Sequence, residues 1–171
     1  MTYAVIDSPV GLLTLVSSAD GELTGLYMEQ HRHRPDLETF GARDDSVLPA
    51  VAEQLHEYFE AGRTTFDVPL RMNGTPFQQR VWEALKEIPY GETTTYGELG
   101  ASLGLVPGAS RAVGLANGKN PISIIVPCHR VVGSTGSLIG YGGGLDRKQH
   151  LLDHERADVL GVEPQPNGNR G

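Results

Sequence analysis

Cys128 is the only cysteine in the chain, and His129 and Arg130 follow it directly. A thiol attacks only as its thiolate, so its ordinary pKa of about 8.5 must be brought down by a nearby base or positive charge. His129 and Arg130 are residues of the right types. Adjacent strand residues point to opposite faces, however, so adjacency alone does not pair them. A lone cysteine after an apolar run is also commonly a small buried hydrophobe. The run before it, Ile122 to Val126, is short, β-branched and broken by Pro127. That pattern predicts a buried strand ending at a presented thiol.

The elements that must position this stretch are legible around it. Thr75-Pro76 is an N-cap with proline at the first helical position, and Phe77, Val81, Trp82, Leu85 and Ile88 form an apolar helix face. Thr95 with Glu98 makes a capping box for a second helix, carrying Tyr96, Leu99 and Leu103 and ended by Gly104. A third helix runs from Ala109 to about Gly118, built of small residues around one long cation, Arg111. Two short helices joined by a Gly/Pro turn outline a helix-turn-helix. The N-terminus of its second helix suits phosphate or a groove; an alanine-rich packing helix with a solvated arginine fits equally well. A last helix spans Asp146 to about Arg156 with Lys148 and Glu155, and residues 158–171 read as a disordered tail. The glycines around Tyr141 lack phosphate-loop spacing and read as a flexible loop.

Ahead of these, residues 3–7, 12–17 and 22–28 read as an antiparallel meander, with Asp20-Gly21 as a hairpin signal. Val47, Val51, Leu55 and Phe59 recur at helical spacing before Gly62, and Thr65 to Leu70 reads as a further strand. His31 and His33 sit in a polar stretch without partners for a metal. The first 70 residues show no chemistry of their own and read as a scaffold. The expected fold class is α/β (α+β): a small N-terminal antiparallel-sheet domain over 1–72, then a mainly helical, winged helix-turn-helix-like domain over 73–157.

The 171 residues carry a formal net charge of −7, unevenly placed. Residues 1–70 hold 4 Lys/Arg against 12 Asp/Glu, a net of −8, and residues 71–156 hold 9 against 7, a net of +2. Only the second region suits phosphates. One cysteine excludes an internal disulfide framework and a multi-cysteine zinc site. With no long apolar span and no leader pattern, a cytoplasmic setting is expected.

Pro127-Cys128-His129-Arg130-Val131 now joins Phe77-Gln78-Gln79-Arg80-Val81-Trp82, Ile88-Pro89-Tyr90-Gly91-Glu92-Thr93, Arg111-Ala-Val-Gly114 and Asn120-Pro121. Together and in this order they closely resemble the O6-alkylguanine-DNA alkyltransferases, most of all the small actinobacterial members. The resemblance is strong over residues 65–156. It implies an irreversible, stoichiometric repair reaction in which O6-alkylguanine is flipped out of duplex DNA and Cys128 takes the alkyl group. His129 would deprotonate Cys128 through a water, with Glu155 holding and polarising His129. Tyr96 would donate to guanine N3 as charge develops on the leaving base. Arg111 would fill the space left by the flipped base, with Ala112, Gly114, Asn120 and Arg130 in the DNA-facing set and Asn120, in the turn between recognition helix and active-site stretch, also bracing the site by hydrogen bonds. Tyr141, Gly142, Lys148 and Val131 would line the alkyl pocket. No cofactor or metal is implied, and the partner is double-stranded DNA containing O6-alkylguanine, with no membrane. A monomer is expected, with cooperativity on DNA left open.

The chain departs from the family pattern in places. Gly142 stands where some members have a serine that contacts guanine O6, and the turn before Arg111 is one residue longer than in some. The extra phosphotriester-repair and regulatory domains of adaptive-response relatives are not expected. A non-catalytic lesion sensor would lack the acceptor cysteine that is present here. A cysteine hydrolase would need an oxyanion hole and turnover and would leave Arg111 without a purpose.

Overall fold

The computed structural model describes residues 1–29, 34–137, 141 and 143–160. Its first region is the expected meander. β1 (Thr2–Ile6), β2 (Leu13–Ser17) and β3 (Leu23–Met28) pair antiparallel, with Thr2 opposite Ser17 and Leu13 opposite Met28. The short β4 (Ala42–Arg43) adds in parallel beside β1, giving the order β3-β2-β1-β4. Side chains alternate faces along a strand: Leu13 and Leu15 enter the main core, while Val16 packs with Tyr27 and Phe40 on the other side.

α1 (Pro49–Glu60) covers the main-core face. Its buried stripe is Val51, Leu55 and Tyr58, spaced i, i+4, i+7. The face is turned one residue from the spacing read in the sequence, so Tyr58 is fully buried and Phe59 only partly. The strand expected over Thr65 to Leu70 does not form. Leu70 makes one isolated bridge to Leu23, because Pro69 has no N–H with which to extend a ladder.

The second region begins with α2 (Pro76–Leu85), whose capping box is closed by Thr75 and Gln78. β5 (Thr94–Thr95) leads into α3 (Tyr96–Ser102), capped by Thr95 and Glu98 as expected. α4 (Ser110–Gly118) packs on α2 and α3, and the Trp82 indole donates to the Ala116 carbonyl at 2.9 Å. β6 (Val131–Val132) pairs in parallel with β5, and α5 (Leu145–Leu160) closes the fold. α5 runs through Leu160, so the expected tail from residue 158 begins as helix; the tail beyond it lies outside the described residues, as do His31 and His33.

The apolar run before Cys128 is not a strand. Ile122 makes one bridge to Leu26, and the chain then turns, with Val126 N–H donating to the Ile122 carbonyl at 3.1 Å. Ile124 adopts φ 71°, a left-handed conformation costly for a β-branched residue. The Asn120 side chain holds the turn closed: its amide donates to the Val126 carbonyl at 2.8 Å and its oxygen accepts from Ile122 N–H at 3.0 Å. Cys128, His129 and Arg130 follow as one 3-10 turn. A single buried apolar cluster runs from the sheet through α1 to the helices of the second region.

Candidate active site

The 3-10 turn of Cys128, His129 and Arg130 lies against α5, which presents Lys148, Leu151 and Glu155 along its buried face. A helix placing two charges inside needs partners for both. Glu155 has five hydrogen-bond donors. Its Oε2 accepts from His129 Nε2 at 2.6 Å, Tyr58 Oη at 2.6 Å and Arg130 Nη2 at 3.0 Å. Its Oε1 accepts from Arg130 Nε at 2.8 Å and Gly91 N at 3.1 Å. Burial would raise this carboxyl, but His129 and Arg130 outweigh it and hold it far below the usual range.

An ionised Glu155 can only accept, so His129 Nε2 carries the hydrogen and Nδ1 is the basic nitrogen. Nδ1 is buried and has no protein hydrogen-bond partner among the described residues. Burial lowers the imidazole pKa, opposed by Glu155 and aided by Arg130 and Lys148, so the resting ring is neutral. The Cys128 thiol is raised by burial, against the opposing pull of Asn120, Lys148 and Ser123. The resting state is therefore a neutral thiol beside a neutral base, with the groups that would favour a thiolate already in place.

Tyr96 is held at the start of α3 under Gly114 of α4, with its hydroxyl beside Asn117. Burial and the nearby Cys128 push it up to about 12, so it remains a donor at neutral pH. Lys148 Nζ stands 5.8 Å from the Tyr96 ring centre, its pKa lowered by burial to about 8. Tyr141 is buried with its hydroxyl beside Ser123 and near Cys128, and Val131 is buried in β6 just past the Cys128–Arg130 turn. Gly142 lies outside the described residues. Its neighbour Gly143 is pressed against Met28 Sδ of β3, leaving no room for a Cβ.

Two residues expected to face DNA point inward instead. Arg130 is 6% exposed; it grips Glu155, donates to the Ile88 carbonyl at 2.7 Å through Nη1 and lies 5.6 Å from the Tyr90 ring centre. Its buried carboxylate partner wins over a solvated phosphate. Asn120 is 3% exposed and consumed by the turn around Ile124. Arg111 and Ala112 are exposed on the outer side of α4, and Gly114 is half-buried. Sequence reading missed Asn117, Ser123 and Tyr58. Tyr58 is 97 positions from Glu155, and only its place on the buried stripe of α1 could have drawn notice.

Residues 76–157 match the model of the 6-O-methylguanine DNA methyltransferase DNA-binding domain, and residues 1–72 that of the same family's ribonuclease-like domain. The chain belongs to the 6-O-methylguanine DNA methyltransferase family. Among its relatives, the methylated-DNA–protein-cysteine methyltransferase of Mycolicibacterium paratuberculosis is 53% identical, over 90% of this chain and 92% of that one. The namesake from Methanosarcina acetivorans is 46% identical over 91% and 98%. The structure of Mycobacterium tuberculosis OGT in complex with DNA superposes with a TM-score of 0.84 at 50% identity, covering 92% of this chain and 94% of that chain. The methyltransferase fold is therefore shared over nearly the whole chain, both regions included.

Proposed function

We propose that this protein repairs O6-alkylguanine, chiefly O6-methylguanine, in double-stranded DNA by moving the alkyl group to Cys128 once and irreversibly. The observation that carries the reading is the buried Cys128 beside His129, whose tautomer is set by a five-donor Glu155. His129 Nδ1 takes the thiol proton through a water, and the sulfur attacks the alkyl carbon. The bond from that carbon to guanine O6 breaks and a thioether forms, its electron pair leaving on the base. Tyr96, held protonated, donates to N3 of the departing guanine, and Lys148 stabilises the thiolate. A thioether has no route back to thiol, so the reaction is stoichiometric and needs no cofactor.

Arg111, exposed at the first turn of α4, would enter the duplex as the alkylated base swings out, with Ala112 and Gly114 allowing close approach. Tyr141, Lys148 and Val131, with Gly142, form the alkyl pocket. Small-residue groove contacts carry little base information, which favours low sequence specificity. The protein acts as a monomer in the cytoplasm. No helix among the described residues is long and apolar enough to cross a membrane.

The test is mass spectrometry of intact protein and peptides after mixing with an oligonucleotide bearing one O6-methylguanine. One methyl replacing one hydrogen, located on Cys128 and saturating at one per protein, is expected. An unchanged mass with the lesion still bound would make the protein a lesion sensor instead.

A further inference from the structure

We infer that Tyr58 of the N-terminal region is a positioning residue of the reaction, acting on Cys128 only through Glu155 and His129. The inference rests on the alkyl-transfer reading above and assigns the N-terminal region a part in it. Tyr58 is fully buried on α1, and its hydroxyl donates at 2.6 Å to Glu155 Oε2, the same oxygen that accepts from His129. Its ring is fixed edge-on against Phe59 and Tyr90, at centroid distances of 4.9 and 6.0 Å, and beside Phe66 and His154. His154 in turn hydrogen-bonds the Tyr58 carbonyl at 2.8 Å, tying α1 to α5 one residue from Glu155. Burial and Glu155 raise the phenol well above its ordinary range, so it keeps its hydrogen and stays a donor to Oε2 at working pH.

A donor fixed on Oε2 does two things. It holds the carboxylate plane so that a lone pair meets His129 Nε2–H, and it disperses charge that would otherwise favour the imidazolium. His129 therefore stays neutral and basic at Nδ1 to lower pH than a His–Glu pair alone would allow. Among the described residues, the charged and titratable groups packed around this pair include Glu155, Lys148 and His154 of α5, Arg130 and Cys128 of the 3-10 turn, Tyr58 of α1, Tyr90 and Tyr141.

The experiment measures transfer from free O6-benzylguanine as a function of pH for wild type, Tyr58→Phe and Tyr58→Leu, so that no DNA step intervenes. The His129 imidazole is titrated by NMR in the same proteins. Rates fall on the acid side as His129 protonates. Losing the donor should raise that half-point by roughly half to one pH unit, slowing transfer about three- to tenfold on the acid limb and much less above it. The phenylalanine keeps the ring, so its fold should survive; the leucine should melt lower yet show the same displaced limb. Melting points lowered in both with the limb and the His129 titration unmoved would leave Tyr58 a packing residue and overturn the inference. Glu155→Gln separates this from the reading beneath it. Wild-type transfer by that variant would remove the relay altogether, whereas its loss beside an unmoved Tyr58→Phe limb would remove only the role of Tyr58.

Discussion

The Cys128–Arg130 turn and the outer side of α4 are treated oppositely by the fold. Around Glu155 the side chains are buried and paired: Arg130 is 6% exposed and makes three hydrogen bonds, and His129 is not exposed at all and bonds Glu155. On α4, Arg111, Ala112 and Leu115 face solvent, Leu115 at 64% exposure, and Trp82 anchors the opposite side of the helix. The contrast fits the proposed reaction: a proton relay needs a prearranged geometry with locked side chains, and a side chain proposed to enter DNA needs to be disengaged beforehand.

The contrast can be broken most completely at the sulfur. Cys128→Ser should abolish alkyl transfer in the mass assay while changing DNA affinity by no more than about twofold. Loss of binding as well would mean that the two regions are not separable.

Glu155→Gln comes next. It leaves Arg130 as a buried charge without its counter-ion, for an expected loss of about 3–5 kcal/mol in denaturant unfolding, and it frees the His129 tautomer, so transfer should collapse. The wild-type relay can also be weakened by acid. Glu155 and His129 are held below their unfolded values of about 4.3 and 6.5. As pH falls below those values the unfolded chain binds protons that the folded one refuses, so stability is lost. Unfolding midpoints should decline from about pH 7 to about pH 5.5 and further by about pH 4; a flat profile would mean that the pair is not locked.

Arg111→Ala probes the other side of the contrast. It should slow repair in duplex DNA by about tenfold, about 1.4 kcal/mol, and leave the reaction with free O6-benzylguanine nearly untouched. Equal losses with both substrates would tie Arg111 to the pocket. The smallest effect is expected from the reaction itself. A methyl added to the buried Cys128 overpacks a site already closed by Tyr141, Ser123 and Asn120. It should cost about 1 kcal/mol and lower the melting point by roughly 2–4 °C. Identical melting curves before and after alkylation would show that the pocket has slack.

The caps at Thr75 and Thr95, the hairpin at Asp20-Gly21 and the boundaries of α2 to α4 were legible because each is set by residues within one turn of the chain. The Cys128 to Glu155 set was legible through ordered motifs. In two places reading failed because a side-chain hydrogen bond overrode the expected pattern. Ile122 to Val126 has strand composition, but the Asn120 clamp bends it into a turn with Ile124 at positive φ. Arg130 reads as part of the DNA-facing set, but its carboxylate partner lies 25 residues away.

By itself, then, the sequence determined the lone cysteine and its neighbouring histidine as candidates, the helices that carry Tyr96 and Arg111 and the family to which they belong. These follow from residue type, short-range capping and motif order, all of which act within a few positions. Only the tertiary structure decided which side chains are locked and which are free. It turned Arg130 and Asn120 inward, left Arg111 outside and brought Tyr58 from the sheet-covering helix onto the buried Glu155 carboxylate. A buried charge must collect donors from wherever the fold brings them. For Glu155 they come from α1, from Gly91 before β5 and from the catalytic turn, and that convergence exists only once both regions have packed on one core.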